Sequence, residues 1–266
     1  MSCEHSDSAF VARQYRTAAN LAARQRIYQY ATGDVNWHAW VFEQMRPPLP
    51  PDARVLELGC GNGALWRENL GRIPARWGVT LSDLSAGMLD DARRMLGERA
   101  SRFSFARVDA QAIPFPDQTF EAVVANHMLY HVPDRRRAYG EIVRVLEPGG
   151  RLFAATNGDG HVIEIRKLIE HLVPLRERGG FSLAGAREEL ARFFTSVEVI
   201  HLRGELRVPQ AQPIIDYVDS MGLPQPLSAR QFDEIRRVVN GEIARHGYFR
   251  VSTETGLCRA VTLASH

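Results

Sequence analysis

The sequence predicts an α/β fold, a largely parallel sheet with helices on both faces, and three observations carry that prediction. Val55-Leu56-Glu57-Leu58 is a nearly continuous apolar run that stops at Gly59-Cys60-Gly61-Asn62-Gly63, and a helix-like stretch follows over 64–70. A strand buried on both faces reads as such a run, and glycines let the backbone turn sharply and approach a ligand. Further apolar stretches at 76–82, 103–108, 121–125 and 151–156 alternate with helical patterns, the spacing of repeated βα units. Polar residues then sit at the ends of these strands: Asp83, Asp109, Asn126 and Asn157. In open parallel sheets ligands bind at that carboxyl edge.

Taken in order, residues 9–45 have helical apolar spacing, broken at Gly33-Asp34, and 35–45 form a second short helix. Pro47-Pro48-Leu49-Pro50-Pro51 is a stiff linker, so 1–50 read as an N-terminal helical lid and 51–266 as the main domain. After the second strand Ser85 caps a helix over 86–96. The third strand ends at Asp109-Ala110, and the proline-rigidified loop Ile113-Pro114-Phe115-Pro116-Asp117 leads into the fourth. Pro133-Asp134 starts a helix with Ile142, Val145 and Leu146 on one face, and Glu147-Pro148-Gly149-Gly150 reads as a turn into the fifth strand. Helices are expected at 161–173 and 186–194, and a strand at 197–202 that continues after Gly204. Residues 209–247 read as an insertion with helices at 214–221 and 232–244. Residues 248–252 and 256–263 complete the sheet, with Thr253-Glu254-Thr255 as a turn between them. Helical cap insertions therefore fall at about 159–191 and 209–247.

Gly59-x-Gly61-x-x-Ala64 also fits the glycine fingerprint of dinucleotide enzymes. Glu57, two residues ahead of the first glycine, tilts the reading away from that class, because an acid there repels a pyrophosphate and suits a cation. The stretch resembles the first motif of class I S-adenosylmethionine-dependent methyltransferases, and the segment from Asp109-Ala110 through Ile113-Pro114-Phe115 to Phe120-Glu121 resembles a second, more specific one. The resemblance runs from about residue 54 to 156 and is to the UbiE, or type-11, branch. It implies a Rossmann-like fold: a seven-stranded, mostly parallel sheet with an antiparallel last strand, a helical N-terminal lid and a helical cap.

The same resemblance implies cofactor roles. The loop Gly59, Cys60, Gly61 passes under the methionine part of S-adenosylmethionine, and Glu57 orients the loop and the amino-acid end. Asp83 binds ribose, Leu84 and Met88 line adenine, Asp109 and Ala110 meet the adenine edge, and the Asn126 backbone lies near the methionyl amine. Leader aromatics such as Tyr15 are candidates to cover the sulfonium, since cations are attracted to ring faces, though docking on the core explains most of them. Arg24 or Arg26 is a candidate partner for the methionine carboxylate. His127, Tyr130 and Asn157 are the candidate acceptor-side and catalytic groups.

A net charge of +2 leaves no electrostatic footprint for nucleic acid. No apolar run is long enough to span a bilayer, so neither nucleic acid nor membrane is expected as a partner. Three cysteines without metal-like spacing fit a reduced, cytoplasmic setting. His127 and His131 are four apart, but no Glu or Cys completes a zinc site, and no metal is expected. The implied activity is methyl transfer to a small-molecule substrate by a monomer or homodimer. The alternatives are a cyclase that converts the cofactor to azetidine-2-carboxylate and methylthioadenosine, and a non-enzymatic binder.

Overall fold

The structure is a computed structural model that describes residues 24–33, 35–174 and 180–264. Tyr15 lies outside the described residues. Seven strands form one sheet: β1 Arg54–Leu58, β2 Gly78–Asp83, β3 Ser104–Arg107, β4 Phe120–Asn126, β5 Leu146–Asn157, β6 Ser196–Val208 and β7 Phe249–Val261. Their spatial order is β3-β2-β1-β4-β5-β7-β6. All pairs among the first five are parallel, and β7 runs antiparallel to both β5 and β6. The seven-stranded sheet with one reversed strand is thus the expected one. The order reverses between β1 and β4, which opens a crevice at their carboxyl ends.

Both faces of the sheet are covered, as the apolar runs require. Val55 and Leu81 on one face join Phe42 of α1 (Trp37–Met45), Trp66 of α2 (Ala64–Asn69) and Leu89 of α3 (Ala86–Leu96). Leu56 and Leu58, on the opposite parity, join Ile142 of α4 (Arg135–Val145) and Ala186 of α6 (Leu183–Leu190). Ser85 caps α3 through its side chain, as its sequence position predicts.

The distal end departs from the sequence reading. β6 and β7 stay paired over thirteen residues each, from Ser196↔Val261 to Val208↔Phe249. The expected turn at Thr253-Glu254-Thr255 is strand interior, opposite Gly204, Arg203 and Leu202. Threonine is β-branched and suits a strand, and Gly204 makes room: a Cβ there would meet Thr253 Oγ1 at 2.9 Å. The turn expected at Glu147-Pro148-Gly149-Gly150 is likewise absorbed into β5, with Gly149 at φ +76° and a register shift against β4. Beyond the main sheet the β6–β7 ribbon carries a second apolar layer. Leu206, Val208, Phe249 and Val251 pack with Ile165 of α5 (Ile163–Ile169), Ile214 and Val218 of α7 (Gln212–Asp219), and Ile235 and Val239 of α8 (Ala229–His246). Ile27, from the helical stretch ahead of α1, joins this layer.

Candidate active site

The glycine loop is held by hydrogen bonds between strand ends. Gly59, Gly61 and Gly63 all have positive φ, and Gly63 stands at the N-terminus of α2 in the left-handed region. The Cys60 N–H donates to Ser82 O at 2.8 Å. Asp83, the last residue of β2, accepts Gly61 N–H on Oδ2 at 3.0 Å and Ser85 N–H on Oδ1 at 2.8 Å. One carboxylate therefore ties the loop after β1 to the loop after β2. Burial raises the pKa of Asp83, against the N–H groups of Ser85, Gly61 and Leu84.

Glu57 is 2% exposed, and its Oε2 accepts the indole N–H of Trp66 at 2.6 Å. Burial, with a smaller contribution from Asp83, lifts its carboxyl from the ordinary 4.5 to about 8, despite the Trp66 bond. Between those values the folded chain keeps a proton that the unfolded chain has lost, so Glu57 erodes stability as pH rises through that interval. Glu57→Gln is therefore expected to gain thermal stability relative to the parent chain as pH rises from about 5 to about 8. Melting curves across that range would contradict this if the two proteins stayed parallel. Trp66→Phe, which strands the buried carboxyl, is expected to lower stability by about 1–3 kcal/mol, readable by urea unfolding.

Cys60 is buried, and burial, followed by Glu57 and Asp83, pushes its thiol up, so it is no ready nucleophile. Leu84 and Met88 line the same cavity. Asp109 is exposed at the end of β3, where its Oδ1 accepts the Gln111 N–H at 2.9 Å. Ala110 beside it is buried. Asn126 ends β4, and its Oδ1 is a buried acceptor with no hydrogen-bond partner among the described residues.

His127 follows with φ +56°, a costly conformation for a side chain with a Cβ. It is held by its N–H to Ala155 O at 3.1 Å, and its ring lies 5.1 Å from that of Trp37. Burial, then His161, His38 and His131, lowers its pKa to about 3. The imidazole is neutral at neutral pH and a poor proton acceptor, which weakens it as a general base. Tyr130 lines the cavity with its ring edge-on to His131 at 4.4 Å. Asn157 ends β5 opposite Thr255 and lines the cavity as well.

Arg26 is exposed and outside the wall. Arg24, two residues earlier and so on the other side of the helical stretch, is in it. The structure also adds residues that the sequence did not single out: His161, Tyr217 and Thr255 line the cavity. Position at the carboxyl edge just past Asn157 was the available signal for His161. Arg24, His161, Tyr217 and Thr255 share one cavity of about 1460 Å³ with Glu57, Asp83, Asp109, Asn126, His127, Tyr130 and Asn157. Among the described residues no cluster of His, Cys, Asp and Glu could hold a metal ion.

An adenosyl cofactor with a positive charge fits this wall. Glu57, Asp83 and Asp109 have no ion-pair partner among the described residues, Asn126 Oδ1 lacks a donor, and a Cβ on Gly61 would meet nothing within 4 Å. Fold and site thus define a Rossmann-like domain built to hold a nucleoside cofactor at a sheet's carboxyl edge.

Comparison with known proteins agrees. Residues 56–154 match the model of the methyltransferase domain. A ubiquinone/menaquinone biosynthesis C-methyltransferase, UbiE, of Xanthomonas oryzae pv. oryzae is 40% identical over 108 residues, covering 39% of this chain and 42% of that protein. A malonyl-[acyl-carrier protein] O-methyltransferase of Geobacter sulfurreducens is 35% identical over 150 residues, 55% of this chain and 52% of that one. The matches thus span about half or less of these relatives' own length. In structure, a putative methyltransferase of Bacillus halodurans superposes with a TM-score of 0.60 at 17% identity, covering 86% of this chain and 99% of that one. Over residues 56–154 the chain thus matches a methyltransferase domain, the kind its motifs resemble, and S-adenosylmethionine is the cofactor of such domains.

Proposed function

We propose that the protein transfers the methyl group of S-adenosylmethionine to a small-molecule acceptor bound in the same cavity. The observation that carries this reading is the cavity's reach. It runs from the glycine loop, Asp83 and Asp109 to Asn157, His161 and Tyr217 under the cap, and its 1460 Å³ exceeds the volume of an ordinary small-ligand pocket, about 300–1000 Å³. A cyclase acting on the cofactor alone wants a tight cage; here there is room for a second substrate.

The sulfonium, when bound, supplies an activated methyl group with a neutral thioether as leaving group. The protein's work is then to bind, align and exclude water. Asp83 receives the ribose hydroxyls, Asp109 and Ala110 the adenine edge, and Glu57 with Asn126 Oδ1 the methionyl amine. Tyr130 and Asn157 flank the acceptor, and the neutral His127 orients it with Thr255, whose Oγ1 lies 3.5 Å from His127 Nε2. The described part of the lid puts Trp37 and His38 in the wall, and the described parts of the segments about 159–191 and 209–247 serve as the acceptor-side cap.

Mass spectrometry of the nucleosides tests this. With S-adenosylmethionine alone the cofactor is expected to stay intact, and with a metabolite extract S-adenosylhomocysteine forms while a labelled methyl appears in an acceptor. Methylthioadenosine accumulating above spontaneous breakdown would overturn the reading in favour of the cyclase.

A further inference from the structure

Under the cap the cavity wall holds a second set of polar groups, Arg24, Tyr28 and His161. Arg24 and Tyr28 are four residues apart on one helical stretch, so they share a face, and both line the cavity. Arg24 Nε and Nη2 donate to Ser220 O at 3.1 and 2.7 Å. That fixes the guanidinium, yet no carboxylate pairs with it among the described residues, and Nη1 keeps its hydrogens for a ligand.

Tyr28 Oη lies 3.1 Å from His161 Nε2. His161 is 6% exposed, and its Nδ1 accepts the Glu254 N–H at 3.3 Å. A neutral imidazole that accepts at Nδ1 carries its proton on Nε2. His161 therefore donates to Tyr28, and the phenol's own hydrogen is left for another acceptor. The result is a fixed cation and an oriented O–H donor, side by side on a cavity wall. At the ends of β2 and β3 the same cavity is lined by the carboxyl groups of Asp83 and Asp109. The cavity is polarised, acidic where a cationic cofactor suits and cationic under the cap.

We propose that Arg24 and Tyr28, with His161 as the positioning residue behind Tyr28, form an oxyanion subsite that receives a carboxylate of the acceptor; the word acceptor rests on the methyl-transfer reading, the subsite itself does not. A guanidinium edge and a phenol O–H satisfy the two oxygens of a carboxylate, as charge-assisted hydrogen bonds do.

The test compares 4-hydroxybenzoate with its neutral isostere 4-hydroxybenzamide by ligand-observed NMR titration, on the free protein and on protein loaded with S-adenosylhomocysteine. The carboxylate is expected to bind at least about tenfold more tightly than the amide, the size of a hydrogen bond to a charged group. Tyr28→Phe and Arg24→Gln are each expected to lose at least about fivefold in carboxylate affinity by the same reckoning, with unchanged thermal melting as the check on folding. His161→Ala loses part of the effect, while His161→Asn, which keeps a donor toward Tyr28, restores some of it. Equal binding of the two ligands, no binding of the carboxylate, or variants without effect would overturn the subsite. So would variants that weaken S-adenosylhomocysteine but not methylthioadenosine, because the pair would then serve the cofactor's own carboxylate. If the cofactor fails to bind while carboxylate selectivity persists and is lost in the variants, the subsite stands and the methyl-transfer reading falls.

Discussion

Replacing Asp83 by alanine is expected to cut S-adenosylmethionine affinity more than about a hundredfold. The carboxylate accepts N–H groups from Gly61 and from Ser85, so it sets the loop after β1 against the loop after β2. The same side chain also lines the cavity. Alanine removes the carboxylate proposed to receive the ribose and also releases the glycine loop that should pass under the methionine part. Each hydrogen bond to a charged group contributes about 1.5–3 kcal/mol, so losing two exceeds a hundredfold. Asp83→Asn keeps the shape and one acceptor oxygen, and should retain more affinity than alanine at similar thermal stability. Calorimetric titration of the three proteins checks the order; equal affinities would show that the cofactor does not reach β2.

The second large effect separates two glycines of the same loop. Gly59→Ala is expected to destabilise the fold by several kcal/mol, because alanine at φ +66° is strained and its Cβ would lie 2.8 Å from Met128 Cβ. The conformational part alone is about 1–2 kcal/mol, and the overlap with Met128 adds to it. Gly61→Ala also sits at positive φ, +54°, but its Cβ would meet nothing within 4 Å. Only the strain of about 1–2 kcal/mol should appear in its stability, while the added methyl occupies cofactor space and lowers affinity. Urea unfolding and cofactor titration read the two quantities separately. Equal behaviour of the two variants in both assays would contradict the placement of the cofactor under this loop.

Much of this was legible in the sequence, and the reason is locality. A buried strand, a glycine turn and an acid at the next strand end are each written within a few residues, so Glu57, Gly59, Gly61 and Asp83 could be placed from their own neighbours. The site under the cap depends on contacts between distant segments. Tyr28 meets His161 across 133 residues, and Arg24 reaches Ser220 across 196. Neither pairing has a local pattern to reveal it. The Arg24 and Arg26 alternatives were undecidable without knowing which side of their helical turn faces the cavity. Thr253-Glu254-Thr255 looked like a turn because all three residues are polar. In the fold each has a use there: Thr255 donates to Thr156 O at 3.1 Å, Glu254 accepts the Gly160 N–H at 3.0 Å, and Thr253 lines the cavity. Polar residues in mid-strand, where an apolar pattern lapses without a turn, were a signal of the site.

The same geometry explains why His127 looked catalytic and is better read as a wall. Its place after β4 is where an acceptor-side group belongs, but burial among three other histidines leaves it neutral and weakly basic, with a pKa of about 3. A rate that holds steady across the ordinary histidine titration range is the expected consequence, measurable once an acceptor is in hand.

The most direct test of the central claim is a crystal structure of the protein with S-adenosylhomocysteine. The account predicts the ribose hydroxyls on the Asp83 carboxylate, the adenine edge against Asp109 and Ala110, and the amine between Glu57 and Asn126, with the sulfur facing Tyr130 and Asn157. A nucleoside bound elsewhere, or an empty cavity in protein soaked to saturation, would contradict it.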